Sequence, residues 1–457
     1  MIGGGITGLA AAQRLAKQPE LKVTVFEASD RLGGVIRTTQ QNGFYFEHSA
    51  DSFLVSDELP WAGQLCQELG VDLIETDQEH RGALILRDGK FHPVPEGLQL
   101  LSVSRFRSLV ASPLLGWPAK LRVYLERFIP ASVEGEEESL EQFTVRRYGR
   151  EMFEQIIQPL VGGIYTADPK WLSMDAALPQ FVRRERKYGS LAKAVAKTES
   201  NNSDTGARYR LFRTPTDGME SIIHKLRSQL TNVEFHLGTR VSCLTRDDNT
   251  WRLSLANQED AVFDAVICAT SAPALRELVR PISTKLATFI DDIVCVSTAV
   301  VCLGYPRDHI DHPMNAFGCV IPAVENRQIL AISFTNVKFP ARAPDGHALL
   351  RVFVCGALQP EGAELSDERT MQLVRSELEE LLGVRGEPVA SQIVRWPSGT
   401  PQYHLGHRSR LQEITKLVEG IPQLEIAGNA YRGVGIPQCV REGWEAADRV
   451  TSDWNRK

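Results

Sequence analysis

Three glycines near the start of the chain, Gly3, Gly5 and Gly8, stand in the spacing G-x-G-x-x-G. That pattern suits a diphosphate. The first glycine permits a tight strand-to-helix turn, the second lets backbone approach a pyrophosphate, and the third lets helix and strand pack closely. Amides from Gly4, Ile6 and Thr7 would then face the anion, with the helix dipole behind them. The strand from Lys22 ends in an acid, Glu27, 19 positions after Gly8, near the spacing of about 20 expected for a ribose-hydroxyl acceptor. Ala28 follows it, and Arg31-x-Gly33-Gly34-Val35 adds a second glycine loop able to flank the pyrophosphate from the other side. Strand, acid and second glycine pair together point to FAD, and a glycine-rich surface turn is the plainer alternative.

These residues need a frame. The helix from about Ile6 to Lys17 is rich in alanine, as a closely packed helix requires. Only Met1 and Ile2 precede Gly3, whereas a central parallel strand reads as an apolar run of about five residues. The expectation is a start upstream of Met1, because a chain beginning here would leave strand edges unpaired. Val233–Leu237 and Trp251–Leu255 read as strands, and Phe263–Thr270 as a buried strand returning to the first unit, as in glutathione-reductase-like flavoproteins. A further strand, Leu424–Ala427, leads into the glycine-rich run Gly428–Pro437 and a helix from about Gln438 to Trp454.

The expected fold class is therefore α/β, a Rossmann-like FAD-binding domain of the glutathione-reductase type with a mixed-sheet substrate domain and a helical insert. The FAD domain would be discontinuous, over 1–56, 207–279 and 420–457. Residues 57–95 and 280–419 would form the substrate domain, and 96–206 the insert. Within the insert, Ser104–Ile129 mixes apolar and aromatic residues with Arg105, Arg107, Lys120, Arg122 and Arg127, opposed only by Glu126. Such an amphipathic stretch suits an anionic membrane surface; a core-facing stripe with a solvated basic face fits equally. The Glu134–Glu138 and Asn201–Gly206 stretches read as mobile polar connectors.

Bulk composition narrows the class. The 457 residues suffice for two or three domains, and 43% hydrophobic with 24% charged residues is ordinary for a globular protein. A net charge of −6 gives no reason to expect nucleic acid. Eight cysteines without any C-x-x-C, several in apolar runs, suit core thiols of a reduced, cytoplasmic protein rather than metal ligands or disulfides. The longest apolar stretch, Ile293–Tyr305, is too short to span a bilayer and reads as a buried strand.

Further motifs carry a specific resemblance: Gly162-Gly163-Ile-Tyr-Thr-Ala-Asp168-Pro169-x-x-Leu172-Ser173-Met174, Phe317-Gly318-x-x-x-Pro322, Phe339-Pro-Ala-Arg342-Ala-Pro344, Pro401–His407 and Gly428–Pro437. Over nearly its whole length the chain resembles the protoporphyrinogen and coproporphyrinogen III oxidases of haem synthesis, within the amine-oxidase-like flavoproteins. The resemblance implies FAD contacts from Gly3 to Gly8, Glu27, Ala28 and Arg31 to Val35. It adds Ser49, Ala50, Asp51 and Ser52, the Val241 backbone, Trp396, Asn429, Val434, Gly435 and Ile436. Relatives usually read Gly-Pro at Ser49-Ala50, so the loop beside the isoalloxazine is expected to differ in shape. For the substrate it implies Val320 and Phe334 sandwiching the macrocycle, and Thr166-Ala167 approaching it where relatives often have glycine. Arg81 and Arg87 are candidate propionate partners, with solvated surface arginines as the alternative.

The implied reaction is oxidation of a porphyrinogen by three successive hydride transfers, with O2 reoxidising the cofactor. No metal and no dedicated catalytic side chain is expected, so orientation and electrostatics would carry the rate. The substrate, protoporphyrinogen IX or coproporphyrinogen III, stays open. An amine oxidase, a carotenoid desaturase or a non-catalytic chain are the rival readings. The resemblance also leaves room for a homodimer and for peripheral contact with the inner face of the cell membrane.

Overall fold

The computed structural model describes residues 1–80, 82–133, 135–198, 211–256 and 258–454. Short apolar strands build a parallel sheet at one end. Val23–Phe26 pairs with Val233–His236, and Val266–Cys268 pairs with Leu424–Ile426, both in parallel. Ile2 bridges the two pairs, to Phe26 on one side and Cys268 on the other. Residues 1–3 are thus paired on both sides. Ile2 N donates to Ile267 O at 2.9 Å, Phe26 N to Met1 O at 2.9 Å, and Ala269 N to Ile2 O at 2.8 Å.

Helices Ile6–Leu15, Trp61–Leu69, Glu220–Gln229 and Ile436–Trp454 share one core against this sheet, built on Leu9, Ala10, Leu65, Leu226 and Val440. The alanines and Gly443 explain how closely the first and last helices approach. A Cβ at Gly443 would lie 2.3 Å from Thr7 O. Helix Trp61–Leu69 falls in the range expected to belong with the substrate sheet. It packs instead with the parallel sheet, because Ala62, Leu65, Cys66 and Leu69 all point into that core. Helices Thr284–Asp291 and His407–Glu419 likewise depart from the expected division. Leu286, Ile290, Ile414 and Val418 join the cluster of the antiparallel strands Val241–Asp247 and Thr250–Leu255.

The second large element is a seven-stranded mixed sheet, in the order Ala390–Pro401, Cys295–Pro306, His347–Val354, Ala331–Phe334, Gly318–Val320, Leu84–Arg87, Lys90–Pro93. Gly318–Val320 and Leu84–Arg87 run parallel, and the other neighbours antiparallel. Side chains alternate between faces. Val301, Leu303, Leu350 and Phe334 pack against helix Asp367–Leu382 through Val374 and Leu378. Val300, Cys302 and Leu349 face the other way, against Phe44 and Phe46 of the hairpin Thr38–Gln41/Phe44–Glu47.

Between 106 and 198 the described regular elements are all helices, with a core of Leu109, Phe143, Ile156, Phe181 and Leu191. Arg147 is buried at its centre. It pairs with Glu126, and its Nη1 lies 2.9 Å from Glu185 Oε1, all three groups at or near zero exposure. Glu126 therefore faces inward and opposes none of the surface arginines. The outer face of Trp117–Tyr124 and Leu125–Phe128 exposes Trp117 at 72% and Phe128 at 70%, with Leu121, Tyr124 and Leu125 beside them. No described helix is long and apolar enough to cross a membrane.

One expected connector is not loose at Glu137 and Glu138, while its Glu134 lies outside the described residues. Glu137 accepts from Ser173 Oγ and, at 2.7 Å, from Gly406 N, while Glu138 pairs with Arg146 at 2.6 Å. The expectation for Asn201–Gly206 lies outside the described residues.

Candidate functional site

The glycine-rich start folds as its chemistry demands. Gly3 has φ +103°, and a Cβ there would meet Ala269 O at 2.5 Å; a Cβ on Gly8 would meet Gly3 O at 2.0 Å. Neither position admits another residue without moving backbone. Gly5 caps helix Ile6–Leu15 without any side-chain cap, and the first turn carries no acid. Its leading amides, including those of Ile6 and Thr7, thus lack intrahelical partners. Gly5 faces Gly33 and Gly34 across a backbone bridge, with Gly5 Cα 3.3 Å from where a Gly34 Cβ would stand. A cradle bare of side chains and lined by helix-end amides fits a pyrophosphate.

Glu27 lies beside this cradle. Its Oε2 accepts from Gly4 N at 2.7 Å, and its Oε1 accepts from Ser29 N at 2.9 Å and Ser29 Oγ at 2.8 Å. A carboxylate has about four acceptor directions, so one remains on Oε2 for a ribose hydroxyl. Ala28 is exposed next to it. Arg31 holds its own loop. Its Nη1 donates to Leu32 O at 3.0 Å and Ile36 O at 3.1 Å, and its Nη2 to Gly34 O, so the guanidinium shapes the second glycine loop. Gly34 and Val35 stay exposed on that loop.

The Ser49–Ser52 loop is fastened from the seven-stranded sheet. Trp396 Nε1 donates to His48 O at 2.8 Å, and Arg351 donates to Ser49 O. Asp51 Oδ1 accepts from Lys338 Nζ at 2.9 Å, and its Oδ2 lies 3.2 Å from Arg351 Nη1. Burial alone would raise the Asp51 carboxyl, but the Lys338 and Arg351 charges outweigh it and hold it far below the usual carboxylate range. Ala50 is exposed at the tip. Val241 is buried where the antiparallel strands begin, beside Phe26, at the mouth of the parallel sheet.

The closing glycine run is held by Tyr403. Its hydroxyl donates to Asn429 O at 2.7 Å and accepts from Gly433 N at 2.8 Å, and its ring stacks on His407 at 4.2 Å. Burial keeps the Tyr403 phenol well above its ordinary value and lowers the His407 imidazole to about 4, so both stay neutral. A Cβ on Gly433 or Gly435 would strike Gln438, at 2.4 and 2.5 Å. Gly435 and Ile436 then lead straight into the last helix.

On the substrate side, Ala167, Val320 and Val434 share one apolar layer with Tyr403. Gln158, Gly162, Thr166, Ala167, Ile321 and Leu330 border a narrow cleft with no charged residue in its lining. Thr166 sits there at φ +47°, a left-handed conformation that suits glycine better. Phe334 does not join this layer. It is fully buried on the opposite face of the sheet from Val320, because residues 331 to 334 alternate and only Ala331 is paired with Val320. Arg87 is also committed elsewhere, donating to Leu114 O and lying 3.4 Å from Glu151. Arg81 lies outside the described residues.

Residues 6–451 match the flavin containing amine oxidoreductases. The chain belongs to that family. As a member of this flavin-dependent family it uses FAD, whose pyrophosphate fits the cradle above. A coproporphyrinogen III oxidase of Bacillus subtilis (strain 168) is 31% identical over 99% of this chain and 97% of its own length. Protoporphyrinogen oxidase 2, chloroplastic/mitochondrial, of Arabidopsis thaliana is 28% identical over 99% of this chain and 93% of its own. A solved structure from Exiguobacterium sp. 255-15, provisionally named a protoporphyrinogen oxidase, superposes with a TM-score of 0.86 at 28% identity, covering 99% of this chain and 98% of that one.

Within this family frame, Lys338, Arg351, Tyr403 and Gln438 are the residues that motif reading gave no role. Tyr403 stood in a quoted run, and Gln438 follows the glycines directly, so a signal existed for both. Lys338 and Arg351 reach Asp51 from 287 and about 300 residues away, and no local pattern announces that.

Proposed function

We propose that this family member oxidises a porphyrinogen to the porphyrin in haem biosynthesis, with coproporphyrinogen III as the first substrate to test. The observation that carries the reading is full-length likeness to porphyrinogen oxidases, in a chain that holds both a glycine cradle and an uncharged cleft. When bound, FAD supplies acceptance of two electrons as hydride, so three rounds convert the porphyrinogen to the porphyrin, each with one O2 reduced to peroxide.

The chain's own part is binding and orientation. Ala167, Val320 and Val434 offer apolar surface to a flat macrocycle, and helix Gln158–Tyr165 borders the cleft. The unblocked start of helix Ile6–Leu15 holds the pyrophosphate, and the start of the last helix favours negative charge on the ring system. The cleft lining carries no titratable group, which suits a substrate whose pyrrole nitrogens redistribute their own protons. The division of labour we favour gives the cofactor to 1–56, 207–279 and 420–457, joined by helix Trp61–Leu69, and the substrate to the seven-stranded sheet and the insert.

A second observation favours peripheral attachment at a cytoplasmic membrane face. Trp117, Leu121, Tyr124, Leu125 and Phe128 expose one helical stripe beside Arg127, with Glu126 turned inward; Lys120, expected on the basic face, is buried and donates to Val110 O at 2.7 Å. Sedimentation with vesicles containing anionic lipid tests this. Binding lost in Trp117→Ala/Phe128→Ala supports it, and a concentration-dependent dimer without vesicle binding assigns the stripe to self-association instead.

The main reading is tested by absorption spectroscopy of the purified chain and by porphyrin formation from both porphyrinogens in air. A flavin spectrum with turnover of one of them is expected. A yellow protein inactive on both would overturn the substrate assignment.

A further inference from the structure

Asp51 lies at the centre of a buried charge cluster drawn from three separated segments. Lys338 ends the short helix Thr335–Lys338, Arg351 lies in the strand His347–Val354, and both reach the loop that the flavin reading places beside the isoalloxazine. Arg351 is 1% exposed and Asp51 9%. Lys338 also binds Ser52 Oγ at 2.8 Å and sits over the rings of Phe212 and Phe339, at 4.9 and 5.1 Å.

Two cations meet one anion here, so the cluster carries an excess positive charge away from solvent. Arg342, also buried, adds to it from Thr214 and Pro215. Glu47 is the opposing acid nearby, and burial pushes its carboxyl up to about 7, so it offsets the excess only in part. A buried charge is poorly screened and acts over a longer range than one at the surface. If fastening the loop were the whole task, a single neutral hydrogen-bond donor would serve, without the cost of burying a second cation.

We propose that Lys338 and Arg351, paired around Asp51, are positioning residues for the flavin: they hold the Ser49–Ala50 loop against the ring, and their excess positive charge favours the reduced, anionic cofactor. The inference rests on the flavin placement proposed above. Its signature is a charge-dependent reduction potential, with opposite signs on removing a cation and on removing the anion.

The test measures the midpoint potential of the FAD-loaded protein against a reference dye. K338M shifts the equilibrium about tenfold toward oxidised flavin, about 30 mV lower for a two-electron couple. D51N shifts it by a similar factor the other way, and K338R restores the parent value. Where K338M fails to retain flavin, D51N against K338R carries the same comparison. Potentials that stay within threefold of the parent, or that move in one direction for both charge-removing variants, overturn the proposal. Ala50→Trp separates this failure from that of the flavin placement. An unchanged visible flavin spectrum in A50W overturns both, whereas a changed spectrum with unsplit potentials overturns the charge cluster alone.

Discussion

The site depends on a few atoms that have no slack. Gly8 is the sharpest case, since any Cβ would overlap Gly3 O at 2.0 Å. Gly8→Ala is expected to abolish flavin retention, read as loss of the visible flavin bands in folded protein. Thr166 is the opposite case, a β-branched residue held in the left-handed region by Ala357 N donating to its carbonyl at 2.9 Å. Thr166→Gly relieves roughly 1 kcal/mol of backbone strain and widens the cleft, so kcat/KM for the bulkier porphyrinogen should rise. Glu47 supplies a pH signature. Burial raises its carboxyl to about 7 against the hydrogen bonds from Met219 N and Thr38 and the charges of Arg342 and Arg351. An acid whose folded pKa is raised is most stabilising when protonated, so its contribution is full below about 4.5 and is lost as pH climbs to about 7. Glu47→Gln should remove that slope, of order 3 kcal/mol, from the unfolding free energy measured between those limits.

At the scale of elements, long-range tethers aim the glycine loops. Tyr403 ties strand Ala390–Pro401 and its exit to the Gly428–Gly435 run through one hydroxyl that both donates and accepts. Tyr403→Phe leaves two partly buried backbone groups, Asn429 O and Gly433 N, without this partner. The expected cost is about 1–3 kcal/mol, seen as a weaker FAD affinity with the sheet's own unfolding little changed. In the insert, Arg147 joins Glu126 to Glu185 and so orients the exposed Trp117–Phe128 stripe outward. Arg147→Met removes the ion-pair partner of buried Glu126, while Glu185 keeps Arg146 at 2.9 Å, and a loss of about 3–5 kcal/mol is expected in chemical denaturation.

Across the whole molecule, the residues proposed for the cofactor come from both ends of the chain and from the middle. The hairpin Thr38–Gln41/Phe44–Glu47 links the two sheets, because Phe44 and Phe46 pack on the seven-stranded sheet while Glu47 Oε1 accepts at 2.9 Å from Met219 N of the parallel-sheet core. FAD bound across that junction stabilises the folded state alone, so saturation at a hundredfold excess over Kd should add about 2.7 kcal/mol, measured as a rise in Tm over the stripped protein.

Local spacing was enough to read the glycine-rich turn into the first helix, the acid after Val23–Phe26, the buried strand near Cys295–Pro306 and the helices between 106 and 198. Each is a property of neighbours in the chain: glycine where backbone must turn or approach, alternation where a strand is half-buried, and 3.6-residue periodicity in helices. Three-dimensional packing assigned the rest. Helix Trp61–Leu69 joined the parallel sheet because its apolar face matched that core, and Phe334 fell behind the sheet because its register placed it one residue out of phase with Val320. Arg31 and Arg87, alike on paper as candidate anion binders, turned to carbonyls and a carboxylate that no local motif could anticipate. Which cation meets which anion depends on segments hundreds of residues apart, and burial sets the energy of each meeting. That information exists only once the chain has closed on itself.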